Sequence, residues 1–209
     1  MKQFLNRALI GIIALFAASA AHAETYSEGF EYNKIPAQST QSGDKIEVIE
    51  FFWYGCPHCF KFEPHIQAWL KNKADDVNFI RIPAVLNPNW AIHAKAYYTL
   101  ELMGKAEELH GKLFDAIHRD KRQLFDRDSI ADFVAANGVD RKRFLSTMRS
   151  FAVEGKMAQS IQAAKNYQIS GVPTLIVNGK YVTDARRAGG NGSIIKVIDF
   201  LIEKERQAR

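Results

Sequence analysis

The chain has 209 residues, 47% of them hydrophobic and 24% charged, with 13 Gly, 6 Pro and a formal net charge of +5. Those proportions exclude collagen-like, low-complexity and wholly disordered chains, and the length suits one domain or one domain with a large insertion. Two cysteines exclude a disulfide scaffold and a four-cysteine zinc site.

The first 23 residues read as a secretion signal. Lys2 and Arg7 give a positive start, Ala8 to Ala18 are apolar, and Ala21-His22-Ala23 offers the small residues needed for cleavage after Ala23. The apolar run of 11 residues is short of the roughly 20 that span a membrane. No cysteine follows it, which excludes lipoprotein processing. A mature chain from Glu24 would hold 26 basic and 23 acidic residues, a net charge of +3. So small an excess, with no interleaved basic and aromatic residues, gives no reason to expect nucleic acid. The expectation is a soluble, exported protein.

Residues 24–45 are polar with scattered aromatics and predict an arm with at most one short strand, with a turn over Gln38–Asp44. Ile46–Trp53 predicts a buried strand. A helix is expected from Pro57 to about Lys73, with Phe62, Ile66, Trp69 and Leu70 on one face and a kink at Pro64. Val77–Ile82 predicts a second strand. From Trp90 to Ile169 the apolar spacing is helical, in segments near 90–103, 105–119, 128–136, 140–149 and 151–168, with Asp128 and Asp140 as candidate N-caps. Thr174–Val177 and Lys180–Val182 predict a hairpin around Asn178-Gly179, and a last helix runs from an N-cap at Ser193 to about Gln207. The order β-α-β, helices, β-β-α predicts an α/β protein whose mixed sheet is split by an all-helical subdomain. Residues 24–87 and 170–209 form the two parts of the sheet domain in this reading, and 88–169 the insertion.

The two cysteines fall in Gly55-Cys56-Pro57-His58-Cys59, where the strand gives way to the helix. A structural disulfide across so short a loop would contribute only about 2 kcal/mol. Half of a zinc site would find only His58 and His65 nearby in sequence, against the four ligands zinc takes. A redox pair accounts for the placement better. Pro57 suits the first helical position, where an amide would be unpaired anyway, and that makes Cys56 the N-cap. A sulfur there lies beside free N–H groups at the positive end of the helix dipole, so an exposed Cys56 should be acidic. His58 can add positive charge or a donor. Cys59, three residues on, should be buried, less acidic and able to bond back to Cys56. Stabilising the thiolate favours the reduced form, so the disulfide becomes an oxidant. A pKa lowered by about five units would be worth about 7 kcal/mol, or about 150 mV for a two-electron couple.

The strand Ile49-Glu50-Phe51-Phe52, the motif Cys56-Pro57-His58-Cys59, the helical insertion and Gly171-Val172-Pro173-Thr174 together resemble the DsbA family of thiol:disulfide oxidoreductases in the thioredoxin superfamily. The resemblance covers the mature chain and implies a thioredoxin-like fold with the inserted helical subdomain. It implies a monomeric dithiol oxidase acting on reduced, unfolded exported proteins, without a bound cofactor or metal, and reoxidised by a membrane quinone-linked partner of the DsbB type. It implies Cys56 as nucleophile, Cys59 as resolving thiol, a redox disulfide Cys56–Cys59 with Pro57 and His58 between them, and Pro173 as a cis-proline beside the pair. Val172 and Pro173 would then bind an extended substrate segment through main-chain bonds. Glu50, within an apolar strand, is carried over as a buried proton relay to Cys59, or else a charge on the solvent side. The family's lysine near this carboxylate has no evident counterpart. Arg81 could replace it or could be solvated.

His65, His93, His110 and His118 share no metal spacing and read as surface or core residues. Trp53, Tyr54 and Trp90 read as core packing before they read as the rim of a peptide groove. The competing functions are a disulfide isomerase or reductase, a peptide-binding chaperone module with incidental cysteines, and a glutathione-using transferase, which an export signal disfavours.

Overall fold

The computed structural model describes residues 25–209, so the signal segment expected over 1–23 and the mature start at Glu24 lie outside the described residues. Five strands, β1 (Asn33–Lys34), β2 (Ile46–Phe52), β3 (Val77–Pro83), β4 (Thr174–Val177) and β5 (Tyr181–Asp184), form one sheet in the order β1-β5-β4-β2-β3. Only β2 and β3 run parallel; the other pairs are antiparallel. Between β2 and β3 lies α1 (Pro57–Asn72). Between β3 and β4 come a short 3-10 turn (Pro88–Trp90) and five helices: α2 (Ala91–Leu102), α3 (Ala106–His118), α4 (Arg127–Ala136), α5 (Arg141–Met148) and α6 (Phe151–Asn166). The chain ends in α7 (Ala185–Ala188) and α8 (Asn191–Gln207).

All seven residues of β2 are buried, as its near-continuous apolar run requires of a strand covered on both faces. The period of two then divides its side chains. Ile46 and Val48 pack with Phe62 and Ile66 of α1 and with Ile194, Val197 and Leu201 of α8. Ile49 and Phe51 point the other way, against Ala164 and Tyr167 at the end of α6 and Ile169 beyond it. Phe52, at the strand's end, joins a third cluster with Leu100, Leu109, Leu113, Phe114, Val134 and Phe144 from the helices. Each such large side chain, once covered, contributes about 2 kcal/mol relative to exposure. Among the described residues no helix is long and apolar enough to cross a membrane.

Several sequence expectations shift by a residue or two. Strand β2 stops at Phe52, one residue early, and α1 continues through Pro64 as a single element. Asp126, not Asp128, caps α4: its carboxylate accepts from the amides of Asp128 and Ser129 at 2.9 Å, and Asp128 sits in the first turn. Asp140 caps α5 as expected, accepting from Arg143 N at 2.6 Å. Helix α8 starts at Asn191 after Gly190, with no side-chain cap, so Ser193 lies inside its first turn. The short helix α7 was not anticipated. Asp184 caps it at one end and Gly189, at φ 80°, stops it at the other.

The β4–β5 hairpin turns at Asn178 (φ 49°) and Gly179 (φ 66°), closed by Lys180 N donating to Val177 O at 3.0 Å. Two positive φ values in sequence are the primed turn that Asn-Gly favours. The N-terminal arm lies against this turn, with Gln38 N donating to Gly179 O at 3.0 Å. A Cβ on Gly179 would stand 2.3 Å from Gln38 O. Gly179→Ala therefore combines a strained φ with a backbone clash and should cost about 2–3 kcal/mol, read as a lower urea midpoint with unchanged slope.

Candidate active site at the start of helix α1

Three residues, Trp53 to Gly55, separate the end of β2 from Cys56, and Pro57 then opens α1. Helix α3 and the indole of Trp90 fasten this loop. His118 Nε2 bonds Tyr54 O at 2.7 Å, the Tyr54 hydroxyl bonds His110 Nδ1 at 2.9 Å, and Trp53 stacks on Trp90 at 4.3 Å and 5°. Gly55 admits that stack, because a Cβ there would meet the Trp53 ring at 2.3 Å. Trp53, partly buried, also borders a cavity of about 500 Å³ with Ile92 and Phe125. Tyr54 is fully in the core.

Cys56 occupies the N-cap in extended conformation (φ −87°, ψ 116°), and its sulfur accepts from Cys59 N at 3.5 Å. Both cysteines are free thiols here. Cys56 is more covered than the sequence suggested, at 7% exposure, yet Cys59 has none. The Cys59 side chain's hydrogen bond does most to lower the Cys56 pKa, to about 6; burial opposes it, and the amides of Cys59 and His58 and the charge of His58 assist. Burial drives Cys59 the opposite way, well above the ordinary thiol value, and the charges of Cys56 and Glu50 add to the rise. Lowering Cys56 from 9.0 to about 6 corresponds to about 4 kcal/mol of thiolate stabilisation and about 90 mV. That is an upper bound for a sulfur that keeps a solvent-facing edge, and it is smaller than the five units weighed above. The sign is the expected one.

Val172–Pro173 is a cis peptide bond. It brings Val172 O within 3.4 Å of Cys56 Sγ, which donates to it as a thiol. A groove of about 580 Å³ opens beside this contact, lined by His58, Gly171, Val172, Pro173, Asp184 and Arg186 among others. Pro57 and His58 are both exposed, and His58 lines the groove.

Beneath the cysteines lies a buried charge network. Glu50 stands opposite Arg81 in the parallel register of β2 and β3, and Arg81 Nε reaches Glu50 Oε2 at 3.1 Å. Glu50 is 1% exposed, so it is not a charge on the solvent side and Arg81 is not simply solvated. Arg81 also donates to Glu63 Oε1 at 3.1 Å, and Glu63 accepts from Gln67 at 2.7 Å and bonds His110 Nε2 at 3.3 Å. Burial raises Glu50 to about 7; Arg81 opposes this and Glu63 reinforces it. Burial also works to raise Glu63, but the bonds from His110, Arg81 and Gln67 overrule it and hold this carboxyl well below its usual range. Glu63 and His110 were not singled out from sequence as site residues. The signal for Glu63 was present, since Cys59, Phe62, Glu63 and Ile66 are the buried face of α1 at three-to-four spacing. His93 is a core histidine bonded to Leu124 O at 2.7 Å, and His65 is exposed. No cluster suited to a metal ion exists among the described residues.

Residues 80–190 match the family profile described as a DSBA-like thioredoxin domain. Across 210 aligned residues the chain is 44% identical to the thiol:disulfide interchange protein DsbA of Pseudomonas aeruginosa, covering 100% of this chain and 99% of that one. The chain belongs to the DsbA family. The DsbA of Burkholderia cepacia is 38% identical over 206 residues, covering 98% of this chain and 97% of its own. A crystal structure of Pseudomonas aeruginosa DsbA has a TM-score of 0.84 at 44% identity over 88% of this chain and 96% of that chain. The oxidoreductase DsbA from Xylella fastidiosa has a TM-score of 0.82 at 33% identity over 87% and 98%. The fold is thioredoxin-like, that of the DsbA family.

Titrating thiolate absorbance of the reduced protein should give a midpoint near 6 for Cys56; a midpoint at the ordinary 9.0 would contradict the site described. Because the folded value lies below the ordinary one, ionisation stabilises the reduced fold above about pH 9 and that contribution is lost as pH falls through about 6. The reduced-minus-oxidised difference in urea midpoint should accordingly shrink between about pH 8 and about pH 5.

Proposed function

We propose that this protein is an exported thiol:disulfide oxidoreductase that introduces disulfide bonds into other exported proteins, with Cys56 as the reactive sulfur and Cys59 as its partner. The observation that carries the reading is the opposite treatment of two thiols one helical turn apart, the first made acidic and the second made basic.

In the oxidised protein a substrate thiolate attacks Cys56 Sγ. The Cys56–Cys59 bond breaks, and its electron pair leaves on Cys59. Burial makes that thiolate costly, so Cys59 takes a proton, for which Glu50 at about 7 is a donor matched to neutral pH. A second substrate thiolate then attacks the substrate sulfur of the mixed disulfide, and Cys56 departs as a stabilised thiolate. The substrate has lost two electrons and the cysteine pair has gained them. A membrane quinone-linked oxidase of the DsbB type would take those electrons away.

Val172 and Pro173 are the proposed substrate contacts, with the adjoining groove accepting an extended segment by strand-like pairing. In the reduced thiol form Cys56 occupies the Val172 carbonyl; ionisation or formation of the mixed disulfide releases that acceptor for a substrate amide. The helical subdomain of residues 88–169 braces the cysteine loop through Trp90, His110 and His118. The leader to Ala23, export to the periplasm and action as a monomer complete the proposal.

Equilibration with glutathione tests the direction of the chemistry. The expected result is a dithiol form that predominates where an ordinary reductase would still be disulfide-bonded; a reductase-like potential, with rescue of scrambled substrates, would support the isomerase reading instead. Cys56→Ser should abolish oxidation of a dithiol peptide by at least about 10³-fold, whereas an incidental cysteine predicts full activity. Cys59→Ser treated with glutathione disulfide should hold a mixed disulfide on Cys56, one glutathione leaving as thiolate, because no neighbouring thiol remains to displace the other.

A further inference from the structure

Two buried carboxyls, Glu50 and Glu63, share the single guanidinium of Arg81. With both ionised and His110 neutral the site would hold one uncompensated negative charge away from water, which favours a proton on one carboxyl. The hydrogen-bond partners decide which. Glu63 accepts from Arg81, Gln67 and His110, while Glu50 accepts from Arg81 Nε. The third donor to Glu63 comes from outside the sheet and helix that carry the cysteines: His110 belongs to α3, is 2% exposed, and is fixed by edge-on contacts to Phe52 at 4.9 Å and Phe114 at 5.1 Å.

The proton on His110 is located by its partners. An ionised carboxylate can only accept, so the nitrogen facing Glu63, Nε2, carries the hydrogen. Nδ1 is then a bare acceptor, and the Tyr54 hydroxyl donates to it at 2.9 Å. Tyr54 lies two residues before Cys56, so the partner of Nδ1 comes from the cysteine loop itself. We infer that His110 is a positioning residue for the proton step: its Nε2–H keeps the negative charge on Glu63, so that Glu50 alone exchanges a proton under the field of Cys59. The inference deepens the dithiol reading above and rests on it.

Around this group stand Glu50 from β2, Arg81 from β3, Glu63 and Cys59 from α1, Tyr54 from the loop and Tyr97 from α2 at 6.0 Å between rings. A cavity of about 110 Å³ lies on the far side, with exposed Glu107 at its wall beside Arg81 and His110. Burial and the charge of Arg81 lower the His110 pKa, against the hydrogen bond and charge of Glu63, which raise it. Separating two neighbouring carboxyls in this way assigns one the proton and the other the standing charge.

The test is nitrogen NMR of His110 and carboxyl-carbon NMR of Glu50 and Glu63 in the reduced mature protein. At neutral pH the wild-type ring should be neutral with hydrogen on Nε2; hydrogen on Nδ1 alone, or an imidazolium, would overturn the inference without any variant. In His110→Phe the Glu63 titration should move up by about one pH unit, the size of one charge-assisted hydrogen bond. His110→Gln, which keeps an N–H donor, should restore most of that shift. No movement in the Phe variant, or equal movement in both, would refute the positioning role. Glu63→Gln should lower the Glu50 midpoint, since Arg81 then serves Glu50 alone; an unchanged midpoint counts against the inference. The wild-type equilibrium with glutathione tests the thiol chemistry separately, so failure of that reading is distinguishable from failure of this one.

Discussion

The unpaired amide groups at the start of α1, and the sulfur they face, are the constraint around which this protein is arranged. A helix N-terminus leaves backbone donors without partners, and Cys56 meets them from the N-cap because Pro57 fixes where the helix begins. The same helix carries Cys59 three residues into the interior, where no water offsets a charge. One covalent neighbourhood thus holds two thiols with opposed preferences, and the difference between them is the driving force for the proposed electron transfer.

That arrangement needs support from three directions. Strand β2, buried along its whole length, delivers the loop to the end of the sheet. Helix α3 fastens it through His118 and His110. The turn before β4 returns the chain so that Val172 O meets the sulfur of Cys56 across 116 positions of sequence. The helices between β3 and β4 therefore hold the loop that ends in Cys56. The buried Glu50–Arg81–Glu63 group is expensive for a small core, and its retention beneath the thiols is understandable if protons must arrive where water does not.

Element types were largely legible from apolar spacing, and the departures were local. Asp126 displaced Asp128 as the cap of α4 because a capping carboxylate accepts from amides two and three positions on, and two aspartates in one turn offer the same signal. The helix α7 spans only four residues, too few for any period to register. In the site, Cys56, Cys59 and Pro57 could be placed by local rules alone. Glu63 could have been found on the helical face it shares with Cys59 and Ile66, but a lone glutamate at such a spacing more often marks a solvated edge.

What the residue order determined by itself was the chemistry of nearest neighbours: a strand ending beside a helix, a proline choosing the first helical position, two sulfurs one turn apart. Those follow from interactions within four residues. Tertiary structure decided which charges meet. Arg81 faces Glu50 only through the parallel register of β2 and β3, His110 reaches Glu63 only because α3 packs on α1, and Cys56 is shielded to 7% exposure by the returning chain. Burial and pairing of charged groups depend on contacts distant in sequence, and a dielectric environment belongs to the folded molecule, never to a segment of it.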